Sequence, residues 1–128
     1  MSAFGLDLHA WLWLFSAIIS VESNGDSSAV GDGGKAVGCM QIHPCVIEDV
    51  NRIYNKDYRL SDRYDPDECM DIAYLYLYHY GKHYYRTTGE APTFETLARI
   101  WNGGPNGWKK ASTNKYWIKI KKTLNDNA

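Results

Sequence analysis

Three things are missing from this chain of 128 residues: an apolar run long enough to cross a membrane, a complete set of cysteine pairs, and a net charge of one sign. A spanning helix needs about 20 apolar residues in succession, and the best candidate, within the first 21 residues, is interrupted by Asp7 and His9. That stretch also lacks the basic start and small-residue cleavage motif of an export signal. The expectation is no membrane insertion and no address of its own. Cys39, Cys45 and Cys69 are an odd set, so they make no complete disulfide framework, and buried free thiols are expected. A sharper alternative joins them with His43 as a Cys3His zinc site, although the paired Cys-x2-Cys spacing of such sites is absent. No cofactor is expected. The formal charge of −1 excludes a broad field that would gather nucleic acid or anionic lipid. Charge is instead segregated. Glu48, Asp49, Asp57, Asp62, Asp65, Asp67, Glu68 and Asp71 make the middle acidic, and Lys109, Lys110, Lys115, Lys119, Lys121 and Lys122 make the end basic. Both read as solvated helix faces. With no repeat, low-complexity stretch or linker, residues 1–128 are expected to form a single domain, and a monomer.

What is present is a hydrophobic fraction of 45%, enough for a real core in a chain of this length. The stretch from Ala17 to Pro44 organises the rest. Upstream of it Leu6, Ala10, Trp13, Leu14, Ala17, Ile18 and Val21 recur at spacings of three and four, which predicts a helix with a wide apolar face. Asn24 and Gly25 end the pattern and leave Glu22 in the last turn. There the negative end of the helix dipole and apolar neighbours disfavour a charged carboxyl, and a protonated carboxyl can serve as a general acid. From spacing alone a solvated residue at a helix end is the commoner explanation. Next come Gly25, Gly31, Gly33, Gly34 and Gly38, around two β-like pieces, Ala29-Val30 and Cys39 to Ile42, which predict a small glycine-rich hairpin with Asp32 at its turn. Two carboxyls placed on a helix end and a facing hairpin suit cleavage of a glycosidic bond.

Further along, Pro44 opens a helix whose face is Val46, Ile47, Val50, Ile53 and Tyr54, ending near Asn55. Asp65-Pro66-Asp67-Glu68 is a strong helix start, and the helix is expected to run to about Gly81. Its tyrosines outnumber what a core requires, so some are expected to line a cleft. His79 and His83 lie four apart but lack the glutamate that a zinc-peptidase motif places after the first histidine. Thr93 caps a helix through Ile100. Asn102 to Gly107 reads as a tight loop, and Ser112 or Thr113 as the cap of a last helix that docks through Tyr116, Trp117, Ile120 and Leu124.

Glu22-Ser23, Ala29, Gly38 with Met40-Gln41-Ile42, and much later Leu97-Ala98 with Trp101-Asn102-Gly103-Gly104-Pro105 stand in an ordered series. That series resembles the signature of the soluble lytic transglycosylase and goose-type lysozyme group of the lysozyme-like superfamily, over about Leu12 to Leu124. The resemblance implies a mainly α, α+β lysozyme-like fold: a helical domain with a small glycine-rich β-hairpin next to the catalytic helix. It implies a glycosidase of peptidoglycan that cleaves the β-1,4 bond between N-acetylmuramic acid and N-acetylglucosamine. Glu22 would be the catalytic acid. Ser23, Gln41, His43, Tyr78, Trp101 and Asn102 would bind substrate, with Trp101 where the family has tyrosine. Goose-type lysozymes resemble the chain in carrying an aspartate at the hairpin turn, here Asp32, but have a second one where this chain has His43. Asp32, with His43, is therefore the candidate base for water, and hydrolysis is the first expectation. The alternatives are a lytic transglycosylase that closes a 1,6-anhydro ring, or a non-catalytic glycan-binding or zinc-binding module. The setting is left open between a phage endolysin, a virion-borne domain and a domain of an exported enzyme.

Overall fold

A computed structural model describes residues 1–127. It is mainly helical: α1 (Leu8–Ser23), β1 (Val30–Gly31), β2 (Ala36–Val37), α2 (Pro44–Tyr54), α3 (Pro66–Thr88), α4 (Phe94–Gly103) and α5 (Asn114–Asp126) follow in order, with short 3-10 turns between. The chain divides into two compact units. One is Glu22–Tyr76; the other comprises Met1–Val21 and the chain from Leu77 onward. The divisions fall inside α1 and α3. Among the described residues no helix is long and apolar enough to cross a membrane.

In the unit that holds the chain's start and end, the Asp7 carboxylate accepts from the Ala10 amide at 2.9 Å and so caps α1. The buried face of α1 is Trp11, Leu14, Phe15, Ala17 and Ile18. Trp13, expected on that face, is 42% exposed and meets Phe94 edge-on. The stripe is centred on Trp11, and two residues further on is the far side of a helix with 3.6 residues per turn. Phe4, in a short loop closed by the Ala3 and Leu6 backbones, stacks on Tyr78 and lies over Gly81. A Cβ at position 81 would come within 2.7 Å of the Phe4 ring. Gly81 is thus an interior residue of α3, chosen for close packing, and the helix continues to Thr88, beyond the expected end at Gly81. Gly89, with φ +77°, closes it by donating to the Tyr85 carbonyl at 2.8 Å. Thr93 caps α4 as expected, accepting from the Thr96 amide. Helix α4 runs on through Asn102 and Gly103, so these are its last turn and the loop begins at Gly104. Against α4 packs α5, through the buried residues Tyr116, Ile120 and Leu124. The Thr113 hydroxyl does not cap α5; it is drawn into the preceding loop, where it bonds the Gly107 and Lys110 carbonyls.

In the unit Glu22–Tyr76, β1 and β2 pair antiparallel, Val30 with Val37 and Gly31 with Ala36. The second strand lies earlier than the expected Cys39 to Ile42, because the chain reverses again at Gly38 (φ +85°) and Gln41 (φ +54°) and returns Ile42 to bridge Val37. Helix α2 has Pro44 in its first turn and ends on left-handed Asn55, as expected. Asn51 then closes the following loop, its amide donating to the Tyr58 carbonyl and accepting from the Tyr58 amide at 3.0 and 2.9 Å. At the start of α3 the Asp65 carboxylate accepts from the Asp67 and Glu68 amides. Buried Val37, Met40, Ile42, Ile47, Val50 and Ile72 form the core of this unit.

Candidate functional site

Glu22 is half-buried and lies one residue before the end of α1. Its neighbour Ser23 donates from Oγ to the Cys39 carbonyl at 2.8 Å, which ties this helix end to the turn 38–41. Helix ends leave carbonyls and side chains in need of partners, and here a side chain of the last turn finds one in the adjacent irregular segment. On that turn stands Gln41. Its Nε2 donates to the Ala29 and Gly38 carbonyls at 3.2 and 3.0 Å, clasping the hairpin at its open end. Its Oε1 rests against Gly31, where a Cβ would displace it. With both amide hydrogens used inside the fold, the oxygen is the atom of Gln41 left to accept from a ligand N–H or O–H.

Asp32 sits at the hairpin turn as expected, in left-handed conformation (φ +51°), with its side chain 67% exposed. His43 immediately precedes α2 and brings its Nε2 within 3.3 Å of Asp32 Oδ2. The two residues are 11 positions apart in the sequence, and the second chain reversal brings them together. A carboxylate and an imidazole so placed can share a proton or together present an acceptor to a water beside them.

One buried side chain holds this arrangement, and nothing in the sequence singled it out. Arg63, 7% exposed, donates from Nε to the Leu60 carbonyl at 2.9 Å and from Nη1 to the Lys35 and Ile42 carbonyls at 2.9 and 2.8 Å. It thereby fixes both ends of the segment that runs from β2 to the residue before His43. Its own carbonyl lies where a Cβ of residue 38 would be, so only glycine fits there, and the left-handed φ of Gly38 imposes the same choice. That carbonyl also accepts from Cys69 Sγ at 2.9 Å.

The other expected residues belong to the other unit. Trp101 is half-buried and Asn102 exposed, both in the last turn of α4. Below them Arg99 donates to Thr113 Oγ1 and the Lys110 carbonyl, each at 2.8 Å, and to Glu95 at 3.0 Å. Lys110 Nζ in turn donates to the Gly103 carbonyl at 2.8 Å. Tyr78 is half-buried, with Phe4 stacked on it and Lys82 Nζ 4.5 Å from its ring centre. Two other tyrosines line hollows, as expected of some: Tyr84 faces one of about 270 Å³ with Arg99 and Trp108, and both Tyr80 and Tyr84 face another of about 320 Å³ with Asn106 and Trp108. Trp108, edge-on to Tyr84 at 5.0 Å, drew no notice in the sequence. Its Gly-Pro-Asn-Gly-Trp surroundings read as a turn.

Cys45 is exposed on α2 while Cys39 and Cys69 are buried. Among the described residues no three His, Cys, Asp or Glu side chains gather as metal ligands would.

Residues 7–124 match the family model described as Transglycosylase SLT domain. No curated protein matches the chain.

Proposed function

Because the chain belongs to the transglycosylase SLT domain family, the soluble lytic transglycosylase group of lysozyme-like enzymes that act on peptidoglycan, we propose that it cleaves the muramic acid to glucosamine bond without water and leaves 1,6-anhydromuramic ends. The family match favours this reaction over the hydrolysis expected first. It takes residues from both units, which supports reading them as one lysozyme-like domain. The observation that carries the proposal is Glu22 in the last turn of α1, with Ser23 binding that turn to the segment that bears Gln41. In this reading the Glu22 carboxyl gives its proton to the glycosidic oxygen as the bond to C1 breaks, and the glucosamine leaves with a free hydroxyl. The C6 hydroxyl of the muramic acid then closes on C1, and its proton returns to Glu22. One carboxyl serves as acid and then as base, and no second carboxylate is required. Gln41 Oε1 is the proposed contact to a sugar or N-acetyl group in the unit that holds Glu22; Tyr78, Trp101 and Asn102, which the family resemblance names as substrate contacts, belong to the other unit.

A second reading, hydrolysis, is favoured by the 3.3 Å pair of Asp32 and His43. This pair would hold water on the far side of C1 and accept its proton. The two reactions differ by one water in the product. Mass spectrometry of muropeptides released from purified sacculi separates them: anhydro ends are expected, and reducing ends alone would replace the proposal with hydrolysis. Failure to release any muropeptide would overturn both.

A further inference from the structure

Cys39 and Cys69 are the two buried thiols, 3% and 0% exposed, and Cys69 Sγ lies 3.4 Å from where a Cβ on Gly38, the chain neighbour of Cys39, would stand. They come from distant places. Cys39 lies in the turn 38–41, its carbonyl held by Ser23, and Cys69 in the first turn of α3, its amide bonded to the Asp65 carbonyl at 2.9 Å. Between the backbones that carry them stands the close approach of Gly38 to the Arg63 carbonyl, the same carbonyl that Cys69 Sγ touches. Nothing in the proposed reaction uses either sulfur. The odd count that argued against a disulfide framework leaves the exposed Cys45 outside this pair.

We propose that Cys39 and Cys69 form a disulfide, a covalent modification site that staples the turn bearing Gln41 to the start of α3. The oxidant is a small-molecule disulfide of the glutathione class. Cys39 is the attacking sulfur: the neighbouring Cys69 side chain lowers its thiol to about 7, whereas Cys39 and then burial push the Cys69 thiol up. The Cys39 thiolate attacks one sulfur of the small disulfide and expels its partner as a thiolate. Cys69 then gives up its proton to that thiolate, and its sulfur displaces the remaining small thiol from Cys39. Two protein thiols are oxidised, and one small disulfide is reduced to two thiols. Because both sulfurs are buried, the exchange passes through opening of the turn, and the bond once made is shielded from reductant.

The test uses the full chain, both as it is and with Cys45→Ser, brought to equilibrium in glutathione buffers from reducing to oxidising. Alkylation of free thiols and mass mapping read the bonds, and a thermal melt is run on each redox form. The expected result is the loss of two hydrogens, a Cys39 to Cys69 cross-link in both proteins, and a midpoint higher by roughly 5 to 10 °C when oxidised, since the bond closes a loop of about 30 residues. Comparing two redox forms of one protein needs no substitution at either buried sulfur. Two free thiols persisting in the most oxidising buffer would overturn the proposal. So would a stable glutathione adduct, a cross-link to Cys45, or an oxidised form that melts no higher than the reduced one.

Discussion

Each of the two units builds its irregular segment on an arginine, and the two arginines are used differently. Arg63 gathers the Leu60, Lys35 and Ile42 carbonyls, and its own carbonyl presses on Gly38. Arg99 gathers Thr113, the Lys110 carbonyl and Glu95, and its own carbonyl presses on Gly107 in the same way. Yet Arg63 is buried and, among the described residues, has no carboxylate paired with it, whereas Arg99 is half-buried and ion-paired. A charge held only by carbonyl dipoles away from water leaves those dipoles without partners if it is lost. The ion-paired, partly wet arginine can be replaced in large part by water. The turn beside Glu22 is therefore the more rigidly specified of the two, as a segment that must hold groups around a reacting bond should be.

The sharpest break in this comparison is Glu22→Gln. If the chemistry belongs to the unit that Arg63 organises, the amide keeps the shape, delivers no proton, and costs about 10² to 10⁴ in lysis of sacculi while the melting midpoint stays within a few degrees. Activity within tenfold of wild type would remove the acid role from Glu22. Next in size is the contrast between the arginines themselves. Arg63→Ala is expected to cost about 3 kcal/mol or more, a fall in midpoint of roughly 10 °C. Arg99→Ala is expected to cost about 1 to 2 kcal/mol. Equal losses in urea or thermal melts would show that burial does not separate them. The smallest effect is expected from Asp32→Asn. The left-handed turn accepts asparagine, and in the anhydro-forming reaction turnover should change by less than about threefold, because the base role returns to Glu22. A drop of about 10² with reducing ends in the product would instead assign water activation to Asp32 and His43.

Three helix starts were legible because each rests on chemistry within four residues: Asp65 with Pro66, Thr93 with Thr96, Pro44 at the head of α2. Glu22 at a helix end and Asp32 at a turn were legible for the same reason. What the sequence hid depends on contacts made at long range. The end of α3 was misplaced because Gly81 reads as a terminator until Phe4 is seen lying on it. The second strand was misplaced because Cys39 to Ile42 has apolar residues suited to a strand, while Gly38 and Gln41 turn the chain at both ends of the segment. Gln41 is not a residue from which left-handed backbone would be inferred, and its side chain holds the conformation by bonding Ala29 and Gly38. Arg63 carries no local signal at all. Flanked by Asp62 and Asp65, it looks like one member of a solvated charged stretch.

The contact between Phe4 and Gly81 also has a genetic meaning. Two positions 77 apart in the chain share one small volume, so the effect of a change at either depends on what occupies the other. Gly81→Ala alone is expected to destabilise the protein by about 1 to 3 kcal/mol, by driving the new methyl into the aromatic ring. Phe4→Ala alone removes that ring from Tyr78 and Trp11 and is expected to be destabilising too. Combined, the two should cost less than their sum, because the methyl then occupies room that the ring has vacated and alanine suits a helix interior better than glycine. A selection for suppressors of Gly81→Ala should accordingly return smaller residues at position 4. In this region the substitutions that the protein tolerates come as matched pairs.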